Sequence, residues 1–360
     1  MLECRLFLWI LLVFLKIIES IILNRVSVEP KFTWAMLPTI YRCQLAVLLG
    51  MVAVVIWDQS HWWANREDYG FGFLVPLFVG FVLYERRMAI LDYFNGGASV
   101  DHGSSASTMS RLLEGLALLG ACASLALFVI GGLLRAISGP ANPSSLALAA
   151  GFAGFLITSV FLYARTTFSG GLPKLQRRIA LTALFIFPAF IWLLSAPLVS
   201  VLESKIKVFL LTQVTIIVSS LLNFFGYEIF REGNVLLLPN GSVGVEEACS
   251  GIRSLTACLF AGSFLAASYV RAAWKKLLLV FCALCLAFMT NLLRSLILTL
   301  CAYYQGAEVI DAPLILPLLG DIGTLHDVTG LGILGLTTLG LIMLLPIVNF
   351  SFKEYFDARQ

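Results

Sequence analysis

Long apolar runs separated by short polar stretches dominate the chain. They fall at 5–23, 43–57, 70–84, 112–136, 145–163, 179–197, 252–270, 277–303 and 328–348. Most approach or exceed the roughly 20 residues that an α-helix needs to cross a bilayer. The second and third are short and must extend into their aromatic flanks. The first contains Lys16 and Glu19 and is the weakest. It is too long, and too poorly followed by a cleavage site, to read as a signal peptide. Residues 206–225 are also apolar enough to span, but crossing there would move the later acidic loop to the other side. They are read instead as an amphipathic or re-entrant helix on the outer surface, with Thr212, Gln213, Thr215, Ser219 and Ser220 lining one side. Residues 234–246 predict a short hairpin turning at Pro239-Asn240-Gly241. The stretch 96–110, rich in Gly, Ser and Ala, reads as a flexible loop.

The pattern describes an all-α polytopic membrane protein with about eight to nine transmembrane helices, a short extracytoplasmic amphipathic helix and a hairpin. No repeat period stands out. Residues 43–349 form one membrane domain, with an N-terminal segment 1–42 before it and a cytoplasmic tail, 350–360, after it.

Composition agrees with a lipid-facing surface. Of the 360 residues 59% are hydrophobic and only 12% are charged, with mean hydropathy +0.93. A soluble domain is nearer half apolar and a quarter charged. The net charge of +3 and the lack of a basic run argue against nucleic acid. Of the eight cysteines, Cys122, Cys258, Cys282, Cys285 and Cys301 sit inside apolar runs and read as packing residues, Cys282-x-x-Cys285 included. Lys and Arg in short loops set orientation. Arg86, Arg87 and Arg111, then Arg165, Lys174, Arg177 and Arg178, then Arg271, Lys275 and Lys276, and finally Lys353 and Arg359 mark cytoplasmic loops. The segment 304–327, with Glu308, Asp311, Asp321 and Asp327, falls outside. Arg135, near the outer end of a span, is the exception.

Three reactive residue types end up on that outer side. Cys249 opens the run 252–270, with Arg253 one helical turn further on. A cation and a helix N-terminus both lower a thiol's pKa. Ser250 and Gly251 allow a tight entry, and Gly251 admits a close backbone approach. An ordinary buried cysteine is the plainer alternative. Arg294 lies inside an apolar run, where a cation costs roughly 2.5–3.5 kcal/mol on insertion scales and so suggests a function. Asn291 shares its helical face, and a purely structural pairing of Arg294 is the competing reading. His326, next to Asp327 and just before the last run, can pass a proton between a thiol and a leaving amine. It can equally be an interfacial surface histidine. His61, beside Trp62 and Trp63, reads as an interfacial anchor. The outer face offers no zinc-like ligand cluster, and neither a Gly-x-Ser-x-Gly element nor two mid-span aspartates occur. A transporter would use Arg294 for an anion and need a polar path through the inner halves of the spans, which carry few ionisable residues. A non-catalytic assembly protein for envelope or exopolysaccharide export would tolerate loss of Cys249.

Glu247-Ala248-Cys249-Ser250-Gly251-Ile252-Arg253-Ser254 resembles the core signature of the exosortase/archaeosortase family of polytopic membrane cysteine transpeptidases. Asn291-x-x-Arg294 and His326 are similar to the family's later elements. Weaker similarity lies at Tyr69-Gly70-Phe71-Gly72-Phe73-Leu74-Val75-Pro76, at Pro188 and Pro197, and at the turn 239–241, so that residues 58 to 349 are covered. The resemblance implies a catalytic trio that maps to Cys249, Arg294 and His326, with Arg253, Ser250, Gly251 and Asn291 in supporting or substrate-binding positions. Neither a cofactor nor a metal is expected. The resemblance also implies a thiol protease or transpeptidase of the cell inner membrane, acting on exported proteins with a C-terminal motif, helix and basic tail (PEP-CTERM-like). His326 in third place points to the bacterial branch. The acidic pair Glu246-Glu247 followed by Ala248 departs from the family pattern and alters the local charge of the pocket.

Overall fold

The computed structural model describes residues 38–95, 108–167, 172–239, 241–244, 251–316 and 320–349. The run 5–23, most of the loop 96–110, the segment 245–250 and the tail lie outside the described residues. Ten helices and two small sheets are described. Helices α1 (Thr39–Asn65), α2 (Val75–Phe94), α3 (Thr108–Ser138), α4 (Asn142–Tyr163), α5 (Leu175–Ala183), α6 (Ile186–Leu194) and α7 (Ser200–Phe224) precede the antiparallel strands β1 (Phe230–Glu232), β2 (Val235–Leu238) and β3 (Gly241–Gly244). Then come α8 (Ile252–Tyr269), α9 (Ala273–Gln305), the hairpin β4 (Pro313–Leu316) and β5 (Gly320–Thr324), and α10 (Leu325–Asn349). Eight helical stretches are long and apolar enough to cross a membrane: α1, α3, α4, the joined pair Leu175–Leu194, α7, α8, α9 and α10. The chain is a multi-pass, all-α membrane protein.

The run 70–84 differs from its expectation of one continuous span. Its first part is the 3-10 turn Glu67–Leu74, and α2 starts only at Val75 with Pro76 in its first turn. Proline fits there because the missing N–H has no intrahelical partner to lose. Glu85, Arg86, Arg87 and Asp92 then make the helix too charged to join the eight.

The core joins aromatic residues of α1, the 3-10 turn, α4 and α6 to α8. Trp62, Trp63, Tyr69, Phe152, Trp192 and Phe260 are all buried in one cluster, and Phe78 stacks on Phe264 with centroids 4.1 Å apart. Arg135, the orientation exception, is explained by its partner. Its Nε donates to the fully buried Asp58 at 2.6 Å, and its guanidinium lies over Trp57. Arg178, expected in a loop, is instead buried in the first turn of α5. It donates to Glu114, to Ser110 and to the Phe161 carbonyl.

Hydrogen bonds define the two ends of the bundle. At one end Tyr93 donates to the Ala164 carbonyl, Tyr41 to that of Thr166, and Asn349 to that of Tyr269. At the other, Asn142 donates to the Leu198 carbonyl, Leu198 N–H to the Tyr69 hydroxyl, and Thr256 to the Asp68 carbonyl. Helix α7 is anchored at this second end along its length. Glu203 pairs with Arg66 and Lys207 with Asp68 (3.2 Å) near its start, while Tyr227, just past its end, shares a hydrogen bond with Tyr304 at the C-terminus of α9. Despite its length and apolarity, both its ends therefore meet the same end of the bundle.

Only part of its polar stripe faces outward, Ser220 being exposed and Gln213 half-exposed. Thr215 and Ser219 are buried and Thr212 donates to Asn234 in the turn between β1 and β2, whereas Val208, Phe209 and Ile216 are exposed. The inward hydroxyls bond to backbone carbonyls of their own helix, Leu211 and Ile216. They are thus satisfied without water. The expected hairpin is present as β2 paired with β3, Leu238 opposite Gly241, with β1 added along the other edge of β2.

Candidate functional site

The site forms where three helices share one boundary. At 1.5 Å per residue, α9 is about 50 Å long, well beyond a hydrocarbon core of about 30 Å. Helix α8 begins beside Asn291 and α10 begins beside Arg294. About 30 Å of α9 therefore packs between α8 and α10, and its last three turns continue past them. Thr290 and Thr337, buried and 3.0 Å apart, tie α9 to α10 just below this boundary.

Gly251 caps α8 in the left-handed region, φ +70°. A Cβ there would lie 2.6 Å from Asn291 Nδ2. Both the dihedral and the contact demand glycine. Asn291 is buried against this cap. The first turn of α8, like that of any helix, has N–H groups with no partner within the helix itself. Arg253 lies on the exposed side of that turn. Cys249 and Ser250 lie outside the described residues.

One turn beyond Asn291, Arg294 reaches α10. Its Nη2 is 2.9 Å from His326 Nε2, 3.3 Å from Nδ1 and 3.0 Å from the His326 carbonyl, to which it donates. An arginine can only donate, so a ring nitrogen bonded to it presents its lone pair. A Cβ on Gly330, one turn after His326, would stand 3.1 Å from Arg294 Nη2. The guanidinium therefore lies directly on that glycine. The histidine is held from the other side by a capping box. Asp327 N–H donates to Thr324 Oγ1, while Thr324 N–H and its hydroxyl donate back to Asp327 Oδ2. The second carboxylate oxygen of Asp327 is 3.6 Å from His326 Nδ1.

Two residues of the predicted trio, 32 positions apart, are thus in contact, and the chain two residues after the third runs onto Asn291 of the same helix face. His61 is exposed and bonds to Asn65 within its own helix. Among the described residues no group of three His, Cys, Asp or Glu side chains converges as a metal site.

The family described as transmembrane exosortase (Exosortase_EpsH) matches this chain over residues 62–343. The protein belongs to that family. The match contains the Trp62–Tyr69 region, both sheets and the whole contact between Arg294 and His326, and membership implies a membrane cysteine peptidase or transpeptidase. No curated protein and no solved structure matches the chain.

Sequence reading missed two features of this exosortase. Gly330, the floor under Arg294, carries no local signal. The charged group Arg66, Asp68, Glu203 and Lys207 does, because Glu203 and Lys207 are spaced i, i+4. It joins α7 to the 3-10 turn at the site end of the bundle.

Proposed function

We propose that this exosortase is a cysteine transpeptidase that removes C-terminal sorting tags from exported proteins through a thioester. The contact between Arg294 and His326 is the observation that carries the reading, because it joins a cation inside an apolar helix to an imidazole at the start of another. The tag's helix docks among the spans and presents its motif at the site end. His326 takes the thiol proton of Cys249, the resulting thiolate attacks the scissile carbonyl carbon, and the negative charge moves to the carbonyl oxygen. Arg294 and N–H groups at the start of α8 stabilise that oxyanion, a contribution of about 2.7–4 kcal/mol per donor in well-studied cases. The C–N bond then breaks, and the amine leaves with a proton from His326. In the second half, an amine, hydroxyl or water attacks the thioester, gives its proton to His326 and releases the sulfur.

The reading places the site on the extracytoplasmic face of the cell inner membrane. The cation-rich loops around Arg86–Arg87, Arg165–Arg178 and Arg271–Lys276 support this, since their neighbours bond at the opposite end of the bundle. The partners are tagged exported proteins and the bilayer, not nucleic acid.

The test is co-expression with a tagged protein. Cys249→Ala and Cys249→Ser should insert normally and leave the tag in place, while wild type yields a hydroxylamine-sensitive intermediate. A membrane-impermeant maleimide should label Cys249 rapidly from outside. Full processing by Cys249→Ala removes the proposal.

A further inference from the structure

A small cavity lies under the Gly251 cap, between α7, α8 and α9. It is lined by Leu210, Val214, Leu255, Ala287 and Phe288 and by Gly251 and Asn291. Its room suits about one methyl-sized or water-sized group. With aliphatic and aromatic walls, it suits an apolar group better than a water, which needs two or more polar partners.

The wall supplied by α7 is held in place by charge. Glu203, Lys207, Leu210 and Val214 fall within about 60° of one another around the helix at 100° per residue. The face that carries the cavity wall is therefore the face that bonds to Arg66 and Asp68. Glu203 is 5% exposed and Val214 fully buried. These ion pairs oppose the inward shift of α7 that would otherwise close an apolar void.

We infer that this cavity is a specificity pocket that receives one small aliphatic side chain, alanine-sized, from the substrate residue that contributes the scissile carbonyl. The inference rests on the transpeptidase reading. In that reading the attacked carbonyl stands next to the chain entering Gly251, so the side chain on the same residue is the substrate group nearest the cavity. Leu210, Val214 and Ala287 then set the size limit.

The test uses the full-length protein in membranes and a series of tagged substrates with Gly, Ala, Val or Leu at that position. Wild type should process Ala at least 10-fold better than Val or Leu, by kcat/KM. Val214→Ala and Leu210→Ala should raise Val and Leu relative to Ala by about 10-fold, the usual range for one or two methylenes in an apolar pocket. Ala287→Val should lower Ala relative to Gly by a similar factor. The enlarging variants test the idea even where the filling variant fails to insert. If processing requires Cys249 but the ranking is the same in wild type and every inserted variant, the pocket assignment is wrong and the transpeptidase reading stands. If the ranking instead follows the length of the lipid acyl chains supplied, the cavity belongs to lipid and the assignment is wrong. If Cys249→Ala still processes the series, both fall together.

Discussion

Arg294 Nη2 stands 2.9 Å from Nε2 of His326 and 3.0 Å from its backbone carbonyl, and the same guanidinium rests on Gly330. Helices α9 and α10 thus present a cation and an imidazole as one unit.

Replacing the guanidinium should break that unit while keeping the charge. Lysine offers a compact ammonium in place of a planar fork, so Arg294→Lys cannot hold the ring and carbonyl and still face a substrate oxygen. The expected result is a fall in kcat/KM of about 100-fold or more. The melting temperature in detergent should change little, and a tag-cleavage assay on purified enzyme measures both.

Gly330 tests whether contact or composition matters. A Cβ 3.1 Å from Nη2 pushes Arg294 off His326 by a few tenths of an ångström. Gly330→Ala should therefore lower turnover by about 10-fold, as small misplacements of catalytic groups do. Neighbouring Gly332 has no atom within 4 Å of its added Cβ, so Gly332→Ala should leave turnover unchanged. Side-by-side kinetics of the two variants decide the matter.

Gly251→Ala combines two penalties, a left-handed dihedral and a clash with Asn291 at 2.6 Å. A destabilisation of about 1–3 kcal/mol follows from the dihedral alone. Adding Asn291→Ala should recover the steric part and not the dihedral part. A double-mutant cycle by denaturation in micelles reports the difference.

The Asp58–Arg135 pair joins α1 to α3 and predicts stability alone. Asp58→Ala leaves a cation 13% exposed beside a cavity and should cost about 3–5 kcal/mol. Asp58→Leu with Arg135→Leu should recover most of that, since an apolar pair of similar volume avoids burying charge. Thermal unfolding of the single and double variants checks it.

Most spans were legible because lipid imposes a simple rule: backbone groups must be satisfied inside the helix, so long apolar runs become helices. Thus 112–136, 145–163, 252–270, 277–303 and 328–348 each lie within or nearly within an observed helix. The run 70–84 escaped that rule because its first residues form a 3-10 turn and the helix that begins at Val75 runs on into Glu85, Arg86, Arg87 and Asp92. Arg294 and His326 were legible as types of residue, a cation in an apolar run and a histidine at its edge. Asn291 was legible by its spacing from Arg294.

The sequence alone determined membrane residence, the order of the helices and the chemical groups available, since hydropathy, spacing and side-chain type are local properties. Only the tertiary structure decided that Arg294 meets His326 rather than an acid, that Gly330 makes room for it, that Arg135 belongs to Asp58, and that α7 returns to the end of the bundle it started from. Each of these depends on which helix faces turn toward one another, and that is settled by packing between segments tens to hundreds of residues apart.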